Sequence, residues 1–179
     1  FVDRLIDGLR ALEGAYAFVA ITNKKLIGAR DPLGIRPLVL GMFEGAYVLA
    51  SETCAFDIIG AQFVREIENG EVVIISEDGL ESHKPFPPAC PRPVTERPCV
   101  FEAIYFARPD SIVRGETIYE KRKRMGAELA RESHIDADVV IPVPDSGVPA
   151  ALGYAQESRV PYELGIIRNH YVGRTFIEP

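Results

Sequence analysis

The chain has 179 residues, 47% of them hydrophobic, enough to bury a full core in one large domain or two partial ones. Its formal net charge of −6 excludes broad contact with a nucleic-acid backbone, which needs a basic face. No apolar run approaches the roughly 18 residues needed to span a bilayer, and three cysteines without a C-x-x-C pair are not a secreted disulfide framework; the expectation is a soluble, cytoplasmic protein with small-molecule partners, no nucleic acid and no membrane.

In chain order, Val2, Leu5, Ile6, Leu9 and Leu12 fall on one stripe at helix spacing and predict an opening helix. The first residue is Phe, and a pattern already running there predicts a fragment whose beginning lies upstream. After Gly14, AYAFVAI reads as a buried strand, NKK as a turn and LIGA as its partner. DPLG is a turn by composition, with Pro32 suited to its second position and Gly34 to its last. RPLVLG and AYVLA flank the link MFEG as a second hairpin. SETCAFDIIG predicts a short helix capped by Ser51 or Thr53, and EVVIIS with GLESHK, joined by EDG, a third hairpin.

Residues 85–98, PFPPACPRPVTERP, hold six of the 14 prolines, a density that neither continues a helix nor forms a central strand. They read as a stiff linker between two domains. Beyond it, VFEAIYFA reads as a strand, and Thr117 with Glu120 forms a T-x-x-E capping box opening the helix TIYEKRKRMGAELARES. DVVIPVP predicts a strand, GVPAALGYAQES a helix with Pro149 in its first turn, and PYELGII another strand. That βαβ order implies a parallel sheet, although Pro142 costs the ladder a hydrogen bond.

Two stretches have the look of phosphate loops. PDSIVRG at 109–115 has one carboxylate, Asp110, with no second beside it, and Pro109 removes a donor; it reads as a surface turn leading to the capped helix. VPDSGVPAA at 143–151 is the better anion site, because Asp145, Ser146 and Gly147 lie where a strand delivers the chain to a helix N-terminus. The residues alone leave two readings open there: an anion site, or a plain cap by Ser146. KRKR at 121–124 reads as a solvated helix face with Glu120 and Arg124 paired at i,i+4, and Cys54 as a buried structural thiol. His83, His134 and His170 are too dispersed in sequence to suggest a metal cluster.

CVFEAIYFARPDS (99–111), VIPVPDSG (140–147) and IIRNHYVGRTFIEP (166–179) resemble the glutamine phosphoribosylpyrophosphate amidotransferases, or amidophosphoribosyltransferases. EGAYAFVAI, ARDPLGIRPLVLG and LASE resemble the later part of the N-terminal-nucleophile glutaminase domain shared by that group, so the resemblance covers essentially the whole chain. It implies an α+β glutaminase part over 1–84, the Pro-rich linker over 85–98, and over 99–179 the start of a type I phosphoribosyltransferase α/β domain. It also implies a parent enzyme of purine biosynthesis that makes 5-phosphoribosylamine, glutamate and pyrophosphate from glutamine and phosphoribosyl pyrophosphate. The glutaminase nucleophile, an N-terminal cysteine, would lie upstream, so these residues alone would be inactive.

Carried over residue by residue, the resemblance places Asp145, Ser146 and Gly147 on a pyrophosphate loop, with Ser146 approaching Mg2+. Arg168 through Thr175 fall on a flexible hood that closes over the substrate and excludes water, with Asn169 binding substrate and Tyr171 and Arg174 as catalytic candidates. Cys99 lies where some members place the first ligand of a [4Fe–4S] cluster, which needs three further thiolates; a structural thiol is the other reading. Purine nucleotide inhibitors and a homo-oligomer are further implications. A non-catalytic phosphoribosyl pyrophosphate-binding homologue and another phosphoribosyltransferase remain as alternative functions.

Overall fold

A computed structural model describes residues 1–86 and 96–173. The chain divides into two compact units, the first Phe1–Glu102 with Phe106–Ile112, the second Ala103–Tyr105 with Val113–Pro179. Most of the Pro-rich linker, with Cys90, lies outside the described residues, as do Arg174 and Thr175 of the expected hood.

In the first unit, α1 (Val2–Arg10) buries Leu9, with Val2 and Leu5 packed beside it, as the apolar stripe predicts. It covers one face of an antiparallel sheet of order β1-β2-β6-β7, formed by Ala17–Ile21, Leu26–Arg30, Val72–Ser76 and Gly79–His83. Period-2 alternation divides the central strands: Ile27, Ala29, Val72 and Ile74 face α1, while Val73 and Ile75 point to the opposite face. There they meet Leu38, Leu40, Tyr47 and Leu49 of a second sheet, of order β4-β3-β5, formed by Ala46–Ala50, Val39–Phe43 and Gln62–Glu66. Gly28 makes this approach possible, since a Cβ there would lie 2.8 Å from Leu49 Cδ1. A buried carboxylate links the sheets: Glu71 accepts from Arg65 Nη1 and Nη2 of β5 at 2.8 and 2.7 Å, and from Ser82 Oγ of β7 at 2.6 Å.

The three expected hairpins form, and Gly34 N–H donates to Asp31 O at 3.0 Å in the DPLG turn. The MFEG link contracts to Glu44 and Gly45, both at positive φ, as a tight two-residue turn requires. Three readings of this half are corrected. AYAFVAI forms β1 as an exposed edge strand, with Phe18, Val19 and Ile21 open to solvent; the apolar run signals a strand but not which layers cover it. β5 has no counterpart among the expected strands. α2 (Cys54–Ile59) follows Thr53, but neither Ser51 nor Thr53 caps it with a side chain.

VFEAIYFA is helical rather than extended: Val100 and Phe101 enter a π-helix over Glu102–Phe106, closed by Ala107 N–H donating to Glu102 O at 3.0 Å. A short apolar run does not by itself separate strand from helix. The deciding partner is Arg36, whose Nη1 pairs with Glu102 Oε2 at 2.9 Å while its guanidinium lies 5.2 Å from the Phe106 ring centre, so one turn of helix brings both to it.

The second unit carries a two-stranded hairpin, β8 (Ile112–Val113) and β9 (Glu116–Thr117), turning through Arg114 and Gly115 at positive φ. This is the surface turn expected of PDSIVRG. Thr117 caps α3 (Ile118–Glu132), its Oγ1 accepting from Glu120 N at 3.2 Å. α4 (Val148–Ser158) crosses α3 at very short range: a Cβ on Gly126 would lie 1.8 Å from Ala150 O, and one on Gly153 would lie 1.8 Å from Lys123 O. KRKR is not a uniformly solvated face, for Arg122 is buried with Nε donating to Ala103 O at 2.7 Å. Arg124 pairs bidentately with Glu116, not at i,i+4 with Glu120. The parallel strands expected at DVVIPVP and PYELGII reduce to one bridge between Val140 and Tyr162, because Pro142 and Pro144 have no N–H with which to extend a ladder.

Burial raises the Glu71 carboxyl, but hydrogen bonds from Arg65, Ser82 and Glu68 N–H outweigh it and hold the group at about 2 rather than the ordinary 4.5. Stability from this group is therefore complete above about pH 4.5 and is lost as pH falls towards 2. In urea titrations of the parent protein across that window, Glu71→Gln should flatten the acid dependence while lowering stability at neutral pH. Gly126→Ala should cost at least about 2 kcal/mol, read from the denaturation midpoint, because backbone rather than a flexible side chain must move.

Candidate functional site

The RDPLGIRP loop of the first unit is built around two adjacent buried charges. Asp31 is fully buried, and its carboxylate accepts from Leu33 N at 2.9 Å, Ile35 N at 3.0 Å and Arg36 N at 3.3 Å. Arg30 turns the other way and donates to Arg36 O at 2.9 Å, Ile67 O at 2.6 Å and Gly34 O at 3.0 Å. With the Asp31 carboxylate accepting from three amides and Arg30 donating to three carbonyls, the pair organises backbone rather than offering a reactive group. Cys54 is buried in the same unit, and burial pushes its thiol up, so it is a structural thiol, as its internal position suggests.

In the second unit the chain turns through 143–147 into α4, with Gly147 N–H donating to Val143 O at 3.2 Å. A Cβ on Gly147 would lie 2.6 Å from that same oxygen, so the turn is closed to any larger residue in this form. Gly147 is the N-cap, and Ser146 makes no capping bond, which removes the plain-cap reading of that serine. Among the described residues the Ser146 side chain has no hydrogen-bond partner; its hydroxyl is half-buried beside the helix N-terminus, where backbone N–H groups and the dipole favour an anion.

Of the hood residues, Arg168 Nη1 lies 3.1 Å from Asp145 Oδ2, which brings the two segments together. Asn169 Oδ1 accepts from Tyr171 N at 2.9 Å, a side-chain turn that shapes this stretch. The Tyr171 ring is 99% exposed and packs on nothing, and Arg174 lies outside the described residues. Cys99 is half-buried, its N–H donating to Ile35 O at 3.1 Å. Among the described residues no group of three or more His, Cys, Asp or Glu converges as a metal site, and no helix is long and apolar enough to cross a membrane.

Sequence reasoning passed over the Arg168–Asp145 pair, since nothing in the spacing of two residues 23 apart marks them as partners. It also passed over Glu52, whose carboxylate accepts from Arg108 N and Ser111 Oγ, both at 2.7 Å.

Two facing antiparallel sheets with flanking helices, joined by the RDPLGIRP loop, define an α+β glutamine amidotransferase fold of the N-terminal-nucleophile kind; a family model described as a glutamine amidotransferase domain matches residues 3–57. The similarity continues well past that domain. Amidophosphoribosyltransferase of Rhizobium etli is 62% identical over 99% of this chain and 36% of its own length, and that of Bacillus subtilis 50% over 99% and 36%. A solved structure of glutamine phosphoribosylpyrophosphate amidotransferase from B. subtilis, complexed with ADP and GMP, superposes with a TM-score of 0.88 at 48% identity, over 99% of this chain and 38% of that one. Over 99% of its length the chain is similar to these amidophosphoribosyltransferases, and it spans about a third of the length of the relatives it matches.

Gly147→Ala in the parent protein should open the 143–147 turn and fray the start of α4. Amide hydrogen exchange at 147–151 is expected to accelerate at least tenfold, with α3 unchanged.

Proposed function

We propose that this chain is part of an amidophosphoribosyltransferase of purine biosynthesis, which hydrolyses glutamine and uses the ammonia to convert phosphoribosyl pyrophosphate to 5-phosphoribosylamine. The observation that carries this reading is that the match to enzymes of that name runs through both the RDPLGIRP loop and the PDSG and hood segments, rather than stopping with the glutamine amidotransferase domain at residue 57. Residues 1–84 are assigned to the glutaminase domain and 99–179 to the opening of a type I phosphoribosyltransferase domain, with the Pro-rich linker between.

In the transferase reaction, the ammonia nitrogen forms a bond to C1 of the ribose as the bond from C1 to the pyrophosphate oxygen breaks. The turn at 145–147 receives the pyrophosphate: the N-terminus of α4 supplies backbone N–H groups and positive potential, and Ser146 supplies a hydroxyl. Arg168 and Asn169 hold the base of the hood, Tyr171 closes over the sugar to exclude water, and Arg174 keeps the catalytic candidacy that the resemblance gives it. Magnesium, when bound, neutralises pyrophosphate oxygens, and the Ser146 hydroxyl is the hard oxygen donor that such an ion takes. A [4Fe–4S] cluster would take Cys99 as one of its four thiolate ligands. Purine nucleotides as inhibitors, supported by the ADP- and GMP-bound relative, a homo-oligomeric state and a cytoplasmic setting complete the reading.

In the full-length enzyme, Ser146→Ala should lower magnesium-dependent phosphoribosylamine formation at least tenfold while glutamine hydrolysis stays measurable. An unchanged transferase rate would overturn the assignment of the 145–147 turn.

A further inference from the structure

Within the first unit, Arg97–Glu102 and Phe106–Ile112 are held by residues of two motif loops. Arg97 N and Cys99 N donate to Leu33 O and Ile35 O at 2.9 and 3.1 Å, laying the chain along the RDPLGIRP loop. Arg36 then holds Glu102 and Phe106. The far end is held by the SETC turn: Glu52 Oε2 accepts from both Arg108 N and Ser111 Oγ, and Thr53 Oγ1 accepts from Ile112 N at 2.8 Å. Cys54 Sγ approaches the same Glu52 oxygen at 3.8 Å. Ser111 is fully buried and Cys54 is 5% exposed, so the inner side of this clamp is buried, while Arg108 at its edge is exposed.

Glu52 and Thr53 stand immediately before α2, where an acid and a threonine ordinarily serve the helix N-terminus. Neither does so here, since α2 has no side-chain cap. Their oxygens are turned to the 108–112 segment instead. A carboxylate that accepts several hydrogen bonds is the strongest acceptor in such a clamp, and its removal leaves a buried hydroxyl and a backbone N–H without a partner. The segment it holds leads directly into the β8–β9 hairpin and α3.

We infer that Glu52 is a positioning residue, clamping Arg108–Ile112 to the glutaminase part so that ammonia released from glutamine reaches the transferase reaction instead of being lost to solvent. This rests on the two-reaction reading proposed above. Glu52 acts through the chain it holds, because Arg108–Ile112 continues directly into the β8–β9 hairpin. The burial that raises the Cys54 thiol also makes that cysteine a reporter, shielded while the clamp is closed.

The test compares wild type, Glu52→Gln and the milder Ser111→Ala in the full-length enzyme, with two readouts. Alkylation of Cys54 by iodoacetamide, followed on its own peptide by mass spectrometry, reports the clamp. Phosphoribosylamine formation from glutamine and from added ammonium, with glutaminase activity alongside, reports the coupling. The inference expects Cys54 to label at least tenfold faster in Glu52→Gln and less markedly faster in Ser111→Ala. Glutamine-supported synthesis should fall at least fivefold, with ammonium-supported synthesis and glutamine hydrolysis within twofold of wild type. Unchanged Cys54 labelling in both variants overturns the clamp. Faster labelling with both syntheses unchanged, or falling in proportion, overturns its role in ammonia transfer and leaves a structural contact. If Glu52→Gln does not fold, Ser111→Ala alone decides between these outcomes. A wild-type enzyme that forms no phosphoribosylamine from either nitrogen source overturns the proposed function instead, and the labelling arm still decides the clamp.

Discussion

The first unit depends on the carboxylate of Asp31, which is fully buried and accepts from three loop amides, those of Leu33, Ile35 and Arg36. An uncompensated charge at that depth would unfold the region, so the loop is obliged to bring its N–H groups inward and turn its carbonyls outward. Those carbonyls are then available to neighbours: Gly34 and Arg36 accept from Arg30, and Leu33 and Ile35 from the chain at 97 and 99. The conformation imposed by one acid thus fixes where the first sheet ends, where the second begins and how the segment beyond the linker is held.

Packing in the second unit is governed by the absence of side chains rather than by charge. Gly126 and Gly153 let the backbones of α3 and α4 touch, and no other residue type would permit that approach. The rigid pair presents the start of α4, and with it the 145–147 turn, at a defined place. Tyr154 ties the end of α3 to the same helix, its hydroxyl donating to Ser133 O at 2.9 Å and accepting from Ile135 N at 3.0 Å. The anion site proposed at 145–147 would benefit from such a base, because its binding groups are backbone amides that a moving helix would carry away.

The two halves therefore make different uses of polar chemistry. In the first, the carboxylates of Asp31, Glu71 and Glu52 each accept several hydrogen bonds, and their work is to hold shape. In the second, the groups that matter lie open: the Ser146 hydroxyl has no partner among the described residues, and Asp145 and Arg168 pair across more than half-exposed side chains. An exposed pair of this kind contributes about 0–1 kcal/mol, so exchanging partners for an arriving anion costs little.

Periodicity and turn chemistry made the opening helix, three hairpins, the capped α3 and α4 legible from the residues, because each rests on contacts between near neighbours in sequence. The segments VIPVPDSG and IIRNHYVGRTFIEP carried a resemblance to amidophosphoribosyltransferases, and the similarity to enzymes of that name runs along 99% of the chain. Tertiary structure decided what local pattern leaves open: that 99–107 coils because Arg36 gathers Glu102 and Phe106, that Arg122 is buried, and that Val140 and Tyr162 make a single bridge. It also decided that Thr53 serves Ile112 rather than its own helix. Each of these turns on a partner at least 19 residues away, and a hydrogen bond over such a separation is set by packing, which no local spacing encodes.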